Sequence, residues 1–489
     1  MSLANYPPGP LPLPLLGNFS IYSKRNNGLM ELRKLYKQYG PVMTVWVGPF
    51  PIVIISDYTV SKLAFKHTQM ANRPLVEINK YGIMASDWGP ELTIKRKITI
   101  SAIRKYMTTD HLNHTIDRYL RQMWSEMLAD SVDKQNNQSI SVDKYFDNFM
   151  INFMSRVVFY NETYKDRFES LKSAMHYISI DLFNDINHYV YAAKLIPGLR
   201  YIVANPLIKY NTHFDEIKQY LYDVFKLRDN NTVDNIGDDM STGADLFHMI
   251  FETKRHMETK NGGQLLINDE GLAVSIIEVF QGSIETMYQT FIWLILMLAY
   301  FGDEQQKLRD EINEVLGTDS VVQVTADNAQ RLHYLQAFIT ETMRYRTLAF
   351  FGLPHRSTGS TTIIDGKYKI PVNCFIATDT EYIMHDPVNW PEPDKFNPGR
   401  FINRHTGHYE LLASHAWMPY GVGARQCIGK CLSISNLLVI LARFLQLTRN
   451  YRIRLDSRHE FTDDILKPHQ TNSFIFQMPD KYRIYFEAN

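Results

Sequence analysis

Residues 420–429 constrain this chain more than any other stretch, because three glycines, one arginine and one cysteine occur within them. An apolar run follows directly and predicts a helix from residue 429 to about 445. Cys427 is therefore expected at the amino end of a helix, where unpaired N–H groups and the helix dipole favour a thiolate. The glycines allow the backbone to lie close to a large flat ligand.

A lone thiolate in such a loop favours one class of metal site. Cys431 is the only cysteine nearby, and two thiols without convergent histidines make a poor zinc site. The single axial bond of a haem iron needs one soft ligand, which Cys427 can supply. Arg425 adds a fixed cation to the same loop.

The overall composition narrows the function further. The 52 Lys and Arg residues balance 52 Asp and Glu residues, so charge gives no support for nucleic-acid binding. Three cysteines in 489 residues indicate a reducing compartment and argue against a disulfide framework. Residues 6–14 are rich in proline, as expected of a stiff spacer. Two interpretations of this spacer stay open: the chain is naturally without an anchor, or a leading segment has been cut away.

Periodicity predicts a mainly helical chain with a small β lobe, which is an α+β fold. The predicted strands are 42–48, 52–56, 361–364, 368–370 and 373–377, with a terminal hairpin from 473–477 and 482–486. The predicted helices that carry polar motifs are 93–106, 269–300, 302–317 and 332–348. The helix 93–106 is basic, and two interpretations stay open: a solvated face or a docking face for an acidic partner.

Two of these helices carry polar residues in unusual places. In the longest apolar helix, Glu285 and Thr286 follow Gly282, and a buried carboxylate is costly unless it is used or paired. We expect Thr286 to donate a hydrogen bond to the carbonyl of Gly282. On another helix, Glu341 and Arg344 lie three residues apart, a spacing that alone is typical of surface pairs.

Together these motifs resemble those of the cytochrome P-450 family. Residues 420–429 resemble its haem-binding signature F-G-x-G-x-R-x-C-x-G, and Glu341-x-x-Arg344 resembles its E-x-x-R motif. Residues 396–401 resemble its F-x-P-x-R-F segment, and 282–286 resemble its A/G-G-x-D/E-T motif. The resemblance implies the family's fold, a triangular helical domain around a buried haem b. Residues 7–10 resemble the proline hinge of the family's microsomal, membrane-anchored members, so 1–14 is the implied hinge after a missing or trimmed anchor. The resemblance implies one catalytic domain over 15–489, with a β-rich lobe at about 40–57, 361–377 and 473–487 and a helical lobe at 58–350 and 429–446.

The resemblance also implies the roles of individual residues. Cys427 is the implied axial ligand of the haem iron, and Glu285 and Thr286 are the implied catalytic pair that handles protons during oxygen activation. The other implied haem-binding residues are Arg96, His355, Tyr420, Gly421, Gly423, Arg425 and Gly429. A buried charge network is implied for Glu341, Arg344 and Arg400. The implied substrate pocket comprises Gly282, Ser283, Leu348, Phe351, Ser473 and Phe474, together with the region 77–88.

Three positions depart from the family pattern. Tyr420 replaces the usual Phe, Leu92 replaces the Trp that precedes the propionate-binding arginine, and Ser283 replaces a Gly. Trp88 is close to Leu92 in sequence but at a different spacing. We expect these changes to affect the geometry around the haem and the oxygen site.

The implied function is that of a haem-thiolate monooxygenase, which activates dioxygen and hydroxylates a lipophilic sterol, fatty acid or xenobiotic. The implied electron donor is NADPH-cytochrome P-450 reductase, with cytochrome b5 as a second candidate, at the cytoplasmic face of the endoplasmic reticulum membrane. Two alternatives stay open: a haem-thiolate isomerase or lyase that rearranges peroxides, and a non-catalytic haem-binding protein. The pair of Glu285 and Thr286 favours the monooxygenase, because peroxide-rearranging relatives tend to lack it.

Overall fold

The computed structural model of the chain describes residues 5–18, 21, 28–74, 82–133, 136–137, 139–159, 205–229, 245–260, 262–263, 267, 269–318, 323–412, 415–456, 466 and 477–489. The described helices are α1 (Gly28–Tyr39), α2 (Tyr58–Lys66), α3 (Pro90–Met107), α4 (Asp110–Ser131), α5 (Asp143–Phe159), α6 (Pro206–Asp229), α7 (Leu246–Lys260), α8 (Asp269–Tyr300), α9 (Gly302–Leu316), α10 (Ala326–Ala329), α11 (His333–Tyr345), α12 (Thr380–His385) and α13 (Lys430–Leu447). The described strands are β1 (Val42–Val47), β2 (Phe50–Ile55), β3 (Val132–Asp133), β4 (Asn136–Asn137), β5 (Ile140–Ser141), β6 (His355–Arg356), β7 (Thr362–Ile364), β8 (Tyr368–Ile370), β9 (Phe375–Thr378), β10 (Tyr451–Leu455) and β11 (Arg483–Ala488).

The longest described helix, α8, runs through the main hydrophobic core. Its 32 residues give a length of about 48 Å at 1.5 Å per residue. Most of its side chains are buried on every side, and it contacts α5, α6, α9, α11 and α13. The prediction of a central buried helix is confirmed, and so is the mainly helical fold with small sheets.

The first predicted hairpin is also confirmed, because β1 and β2 pair antiparallel with Val42 opposite Ile55. The sheet that they share with β9 and β6 has the order β1-β2-β9-β6. The proline-rich stretch packs along β1, where the N–H and the hydroxyl of Thr44 donate to the carbonyls of Pro8 and Pro7, both at 2.9 Å. The stretch predicted to be a spacer is therefore attached to the edge of the sheet.

The second strand of the predicted terminal hairpin is confirmed as β11, whereas most of the first strand lies outside the described residues. Strand β11 pairs antiparallel with β10 on one side and with β5 on the other, and β10 is absent from the predicted strands. Both partners lie far from β11 in sequence, and strand formation depends on such neighbours more than on local preference. Residues 473–476 lie outside the described residues.

The helix ends differ from the predictions by a few residues. Helix α11 ends at Tyr345, before the predicted end at 348. Helix α9 ends at Leu316 because Gly317 has a φ of +79°. Helix α13 meets the length and hydropathy of a membrane-spanning helix, but 67% of that stretch is buried inside the protein. Such burial is typical of a core helix.

Candidate functional site

Cys427 lies at the amino end of a helix, as predicted. Its N–H donates to the carbonyl of Tyr420 at 3.0 Å, which closes the loop just before α13 begins. The side chain is exposed to the space beside the loop, yet desolvation by the surrounding protein raises the pKa of the thiol. The N–H groups of Gly429 and Lys430 and the charge of Arg96 oppose this rise. The groups that favour a thiolate are therefore present, but in the protein alone burial outweighs them.

The backbone of the cysteine loop requires glycine at two positions. Gly421 and Gly423 have φ angles of +67° and +78°, which other residues rarely adopt. A β-carbon on Gly423 would lie 2.3 Å from the carbonyl oxygen of Phe65. The loop is consequently packed directly against the backbone of α2.

The tyrosine that replaces the expected phenylalanine has a partner for its hydroxyl. Tyr420 Oη lies 3.1 Å from Ser433 Oγ on α13 and 3.8 Å from the sulfur of Met343 on α11. Burial raises the pKa of the Tyr420 hydroxyl above its usual value, so the side chain stays uncharged at neutral pH. The replacement therefore links the loop to two core helices.

Three arginines converge beside the cysteine loop. Arg96 Nη2 donates to the carbonyl of Gln426 at 2.6 Å. Burial lowers the pKa of Arg96, and the negative charge of the Cys427 thiolate opposes this. Burial, followed by the charges of Arg425 and Arg96, lowers the pKa of Arg73 to about 9. Cations held this close together favour binding of an anionic group.

Arg425 is buried and binds main-chain carbonyl groups. Its Nε donates to Ala71 at 2.6 Å and its Nη1 donates to Ile83 at 2.9 Å. The guanidinium carbon lies 5.8 Å from the ring centre of Trp88, within the range of a cation–π contact. Trp88 thus packs on this arginine, whereas Leu92 is buried in the protein core.

His355, one of the implied haem-binding residues, contacts the main chain and an aromatic ring. Its Nδ1 lies 2.8 Å from the carbonyl oxygen of Met70, and its ring centre lies 4.2 Å from that of Phe65. Burial, together with the charge of Arg73, lowers the pKa of His355 to about 3. The imidazole is therefore neutral in the protein alone, and only a nearby anion would raise its pKa toward the physiological range.

The buried surface of α8 is interrupted at its centre. Gly282 is exposed, and a β-carbon there would meet nothing within 4 Å, so open space lies beside this turn. Thr286 Oγ1 donates to the Gly282 carbonyl at 2.6 Å, as predicted. Ser283 is half-buried and also donates its hydroxyl to the helix backbone. Glu285 is buried and accepts a hydrogen bond from Gln289 Nε2.

The charge network expected from the two arginine motifs is assembled on α11. Glu341 and Arg344 have 0% side-chain exposure, and Arg344 Nε and Nη2 donate to the carboxylate at 2.7 and 2.9 Å. Arg400 Nε lies 3.3 Å from the same carboxylate, and the Asn397 N–H donates to it at 2.8 Å. Arg344 Nη1 also donates to the Met384 carbonyl at 3.0 Å. The pair is therefore a buried network and not surface decoration.

The described pocket residues lie in two places, with Gly282 and Ser283 on α8 and Leu348 and Phe351 in the segment after α11. The carbonyl of Leu348 accepts the N–H of Gln477 at 2.8 Å. The carbonyl of Gln477 in turn accepts the indole N–H of Trp293 on α8 at 3.0 Å. Phe351 packs against the core between α1 and the β1–β2 hairpin. Ser473, Phe474 and residues 77–81 lie outside the described residues.

Only part of the basic helix presents charge at the surface. Lys95 is 1% exposed and pairs with Glu91, so the solvated-face interpretation is wrong for this residue. Lys105 pairs with an acidic residue of α7 at 2.7 Å. Lys97 and Arg104 are exposed. The surface available to a partner on this helix is thus smaller than its sequence indicates.

These residues fit a haem better than a bare metal ion. Within the part of the chain that the structure describes, no group of three or more His, Cys, Asp or Glu side chains can hold a metal. One thiolate is sufficient for the iron of a haem. The arginine cluster offers charge to its two carboxylates, and the turn at Gly282 offers open space.

Two residues of this region are missing from the sequence predictions. Arg73 belongs to the arginine cluster although it stands in no motif considered above. Glu278 of α8 is 6% exposed, and burial raises its pKa to about 7. A carboxylate in an apolar helix, one turn before Gly282, was the available signal for it.

Comparison with known proteins agrees with this site. The chain matches the model of the family described as cytochrome P-450 over residues 7–477. Similar curated proteins include the steroid 17-alpha-hydroxylase/17,20 lyases of Ovis aries, Macaca fascicularis and Mesocricetus auratus, with 24%, 25% and 26% identity. These alignments cover 91%, 91% and 89% of this chain and 86%, 86% and 84% of the relatives. The chain belongs to the cytochrome P-450 family and is a haem-thiolate monooxygenase that hydroxylates a lipophilic substrate.

Proposed function

We propose that this enzyme hydroxylates steroid-sized molecules bound against α8 at Gly282 and Ser283. The observation that carries the proposal is the open turn at Gly282, in the middle of a helix that is otherwise buried. Thr286 and Glu285 lie one turn further along the same helix. The curated relatives are named as steroid 17-alpha-hydroxylase/17,20 lyases, and a rigid apolar substrate suits the apolar side chains predicted for this pocket, Leu348, Phe351 and Phe474.

The haem supplies oxygen activation when it is bound, and we assign the residues that would hold it. Cys427 would hold the haem iron through its thiolate. Gly421, Gly423 and Gly429 would keep the loop close to the ring, with Tyr420 fixing the loop to the core. The haem carboxylates would be bound by Arg96, Arg425 and His355, and we add Arg73 to this set because it belongs to the same cluster.

The two polar residues after Gly282 differ in what they can do with protons. Thr286 commits its proton to the Gly282 carbonyl, so its lone pairs remain available to accept a hydrogen bond from a molecule in the open turn. Glu285 is held by Gln289 and has to turn away from this partner to exchange protons with pocket water. We therefore assign orientation to Thr286 and proton transfer to Glu285.

We assign electron delivery to NADPH-cytochrome P-450 reductase, with cytochrome b5 as a second partner for the same surface. Adjoining depressions beside the cysteine loop are lined by Tyr58, Lys62 and Lys66 of α2 and by Lys430. A group of lysines attracts an acidic partner and accelerates its association. Docking here would bring the electron donor close to Cys427, since Lys430 is three residues away in the chain.

We also propose that the enzyme acts at the cytoplasmic face of the endoplasmic reticulum membrane. Residues 1–14 would be the hinge of a membrane anchor, and 15–489 would be one catalytic domain. Leu11, Leu13 and Leu15 are 80%, 58% and 81% exposed. Exposed apolar side chains grouped in this way suit contact with a lipid surface.

The test combines a spectrum with a product assay. The reduced carbon monoxide complex of the haem-loaded protein is expected to show a thiolate spectrum that Cys427→Ser abolishes and Cys431→Ser retains. With the reductase, NADPH, labelled dioxygen and a panel of steroids, we expect a hydroxylated product that carries the label. Retention of the thiolate spectrum in Cys427→Ser would contradict the ligand assignment. Products without label would contradict the monooxygenase reaction, and turnover of fatty acids alone would contradict the steroid assignment.

A further inference from the structure

The segment 82–88 is held by side chains from several distant parts of the chain. Arg425, in the cysteine loop, donates to the carbonyl of Ile83 at 2.9 Å. Arg73 Nε donates to the carbonyl of Met84 at 3.0 Å. The main-chain oxygen atoms of this segment are thus bound by two arginines of the cluster beside Cys427.

The N–H groups of the same segment face a carboxylate. The Met84 N–H donates to Glu278 Oε2 at 2.8 Å, and the N–H groups of Met84 and Ile83 both lower the pKa of Glu278 against the larger effect of burial. The charged or titratable groups that face Glu278 are Lys95 on α3, Tyr210 on α6, Arg73 and Arg425. Glu278 is therefore an acidic group that faces three basic side chains and one phenol.

The fit between this carboxylate and the segment is very close. A β-carbon on Gly82 would lie 2.1 Å from the carboxyl carbon of Glu278. Atoms that are not bonded to each other do not approach to this distance, so the carboxylate occupies the space that any larger residue at 82 needs.

Glu278 also shares a helix face with the proposed substrate site. It precedes Gly282 by four residues and Thr286 by eight, and residues spaced in fours lie along one face of an α-helix. The segment 82–88, itself part of the predicted pocket wall, is thereby attached to the helix that carries the proposed oxygen site.

We propose that Glu278 is a positioning residue, which holds the segment 82–88 against α8 and so fixes both a wall of the substrate pocket and the place of Arg425 beside Cys427. The inference rests on the proposed function, because 82–88 is a pocket wall only if the substrate binds at Gly282. It extends that function by coupling the substrate side of the site to the loop that carries the cysteine.

A double-mutant cycle tests this coupling on the haem-loaded protein. The variants are Glu278→Ala, Gly82→Ala and their combination, with Glu270→Ala and Gly263→Ala as matched controls. Glu270 lies on the exposed first turn of the same helix, and a β-carbon on Gly263 would meet nothing within 4 Å. The two measurements are hydrogen exchange at the Met84 amide and the Kd for 4-phenylimidazole, an apolar probe whose nitrogen binds haem iron.

Each single change is expected to speed exchange at the Met84 amide and to raise the Kd by about tenfold, the effect of losing one charged hydrogen bond. The combined variant is expected to match Glu278→Ala, because Gly82→Ala acts by displacing a carboxylate that is already gone. Glu278→Gln keeps an acceptor for the Met84 N–H and is expected to restore most of the protection. A residue that merely stabilised the fold would lower the melting temperature without this pattern.

Two results would overturn the inference: an unchanged Met84 exchange rate and Kd in Glu278→Ala, or additive effects in the combined variant. The controls are expected to leave both measurements unchanged. The reduced carbon monoxide spectrum keeps this test separate from the proposed function. Loss of the thiolate spectrum in the unmodified protein would contradict the proposed function, while exchange at Met84 would still decide whether Glu278 holds the segment.

Discussion

Replacing Arg344 with leucine is expected to destabilise the folded chain by about 3–5 kcal/mol, the usual cost of leaving one partner of a buried ion pair uncompensated. Arg344 and Glu341 have no exposed side-chain area, so water cannot take the place of the lost charge. The carbonyls of Met384 and Pro393 also lose a donor, at about 1 kcal/mol each. Arg400 and the Asn397 N–H still bind Glu341, and these contacts limit the total loss of folding stability.

The measurement is urea unfolding, monitored by far-UV circular dichroism. The dependence of the unfolding free energy on urea concentration is compared between variants. Arg344→Lys retains the charge but not the paired N–H groups, and it is expected to lose about half as much stability. Lys34→Leu is the surface control, because Lys34 is 71% exposed in its pair with Glu31. It is expected to change stability by less than about 0.5 kcal/mol.

An Arg344→Leu loss below about 1 kcal/mol would refute this reasoning, because a buried charge left without its partner is expected to cost about 3–5 kcal/mol. The expected loss is a large part of the roughly 5–15 kcal/mol that stabilises a native domain. Equal losses in Arg344→Leu and Arg344→Lys would show that the hydrogen-bond geometry matters and the charge does not. The first of these two results would make the network a packing feature, and the second would make it a hydrogen-bond network without a charge effect.

Three further predictions concern other parts of the chain. Thr286→Ala is expected to form less product for each NADPH consumed, because a hydrogen-bonding hydroxyl beside the open turn is lost. An unchanged ratio of product to NADPH would show a purely structural role. Thr286→Ser, which keeps the hydroxyl, is the control. Tyr420→Phe is expected to keep the thiolate spectrum and lose about 1 kcal/mol with the bond to Ser433, as measured by urea unfolding. Burial, followed by the charge of a neighbouring glutamate, raises the pKa of Asp379 to about 7. The folded state therefore binds its proton more tightly, and stability falls as pH rises from about 4 to 7, by up to about 4 kcal/mol. Asp379→Asn is expected to flatten this slope in unfolding measurements made across that pH range.

The sequence was most informative where chemistry is local. The cysteine loop could be predicted because glycines, a cation and a thiol next to a helix start are contiguous, and the long apolar helix was evident from its composition. The hydrogen bond from the Thr286 hydroxyl to the Gly282 carbonyl followed from their spacing of four residues.

Contacts between distant segments could not be predicted in the same way. Arg73 and Glu278 join the site only because the fold brings residues 71–74 and 82–88, α8 and the cysteine loop together. The pKa of His355 depends on burial and on Arg73, neither of which is visible in its motif. Strand β11 was found, but its partner β10 follows a helix and was recognisable only once the chain was folded.

The contacts of Gln477 have a consequence for how this family of sequences varies. Its N–H and its carbonyl join the Leu348 carbonyl to the indole N–H of Trp293 on α8, so residue 477 contributes only main-chain atoms to this connection. Nearly any residue at 477 can make both bonds, and only proline, which has no N–H, cannot. The two bonds therefore place no demand on the residue type beyond the exclusion of proline, and an alignment that scores side chains would overlook the connection.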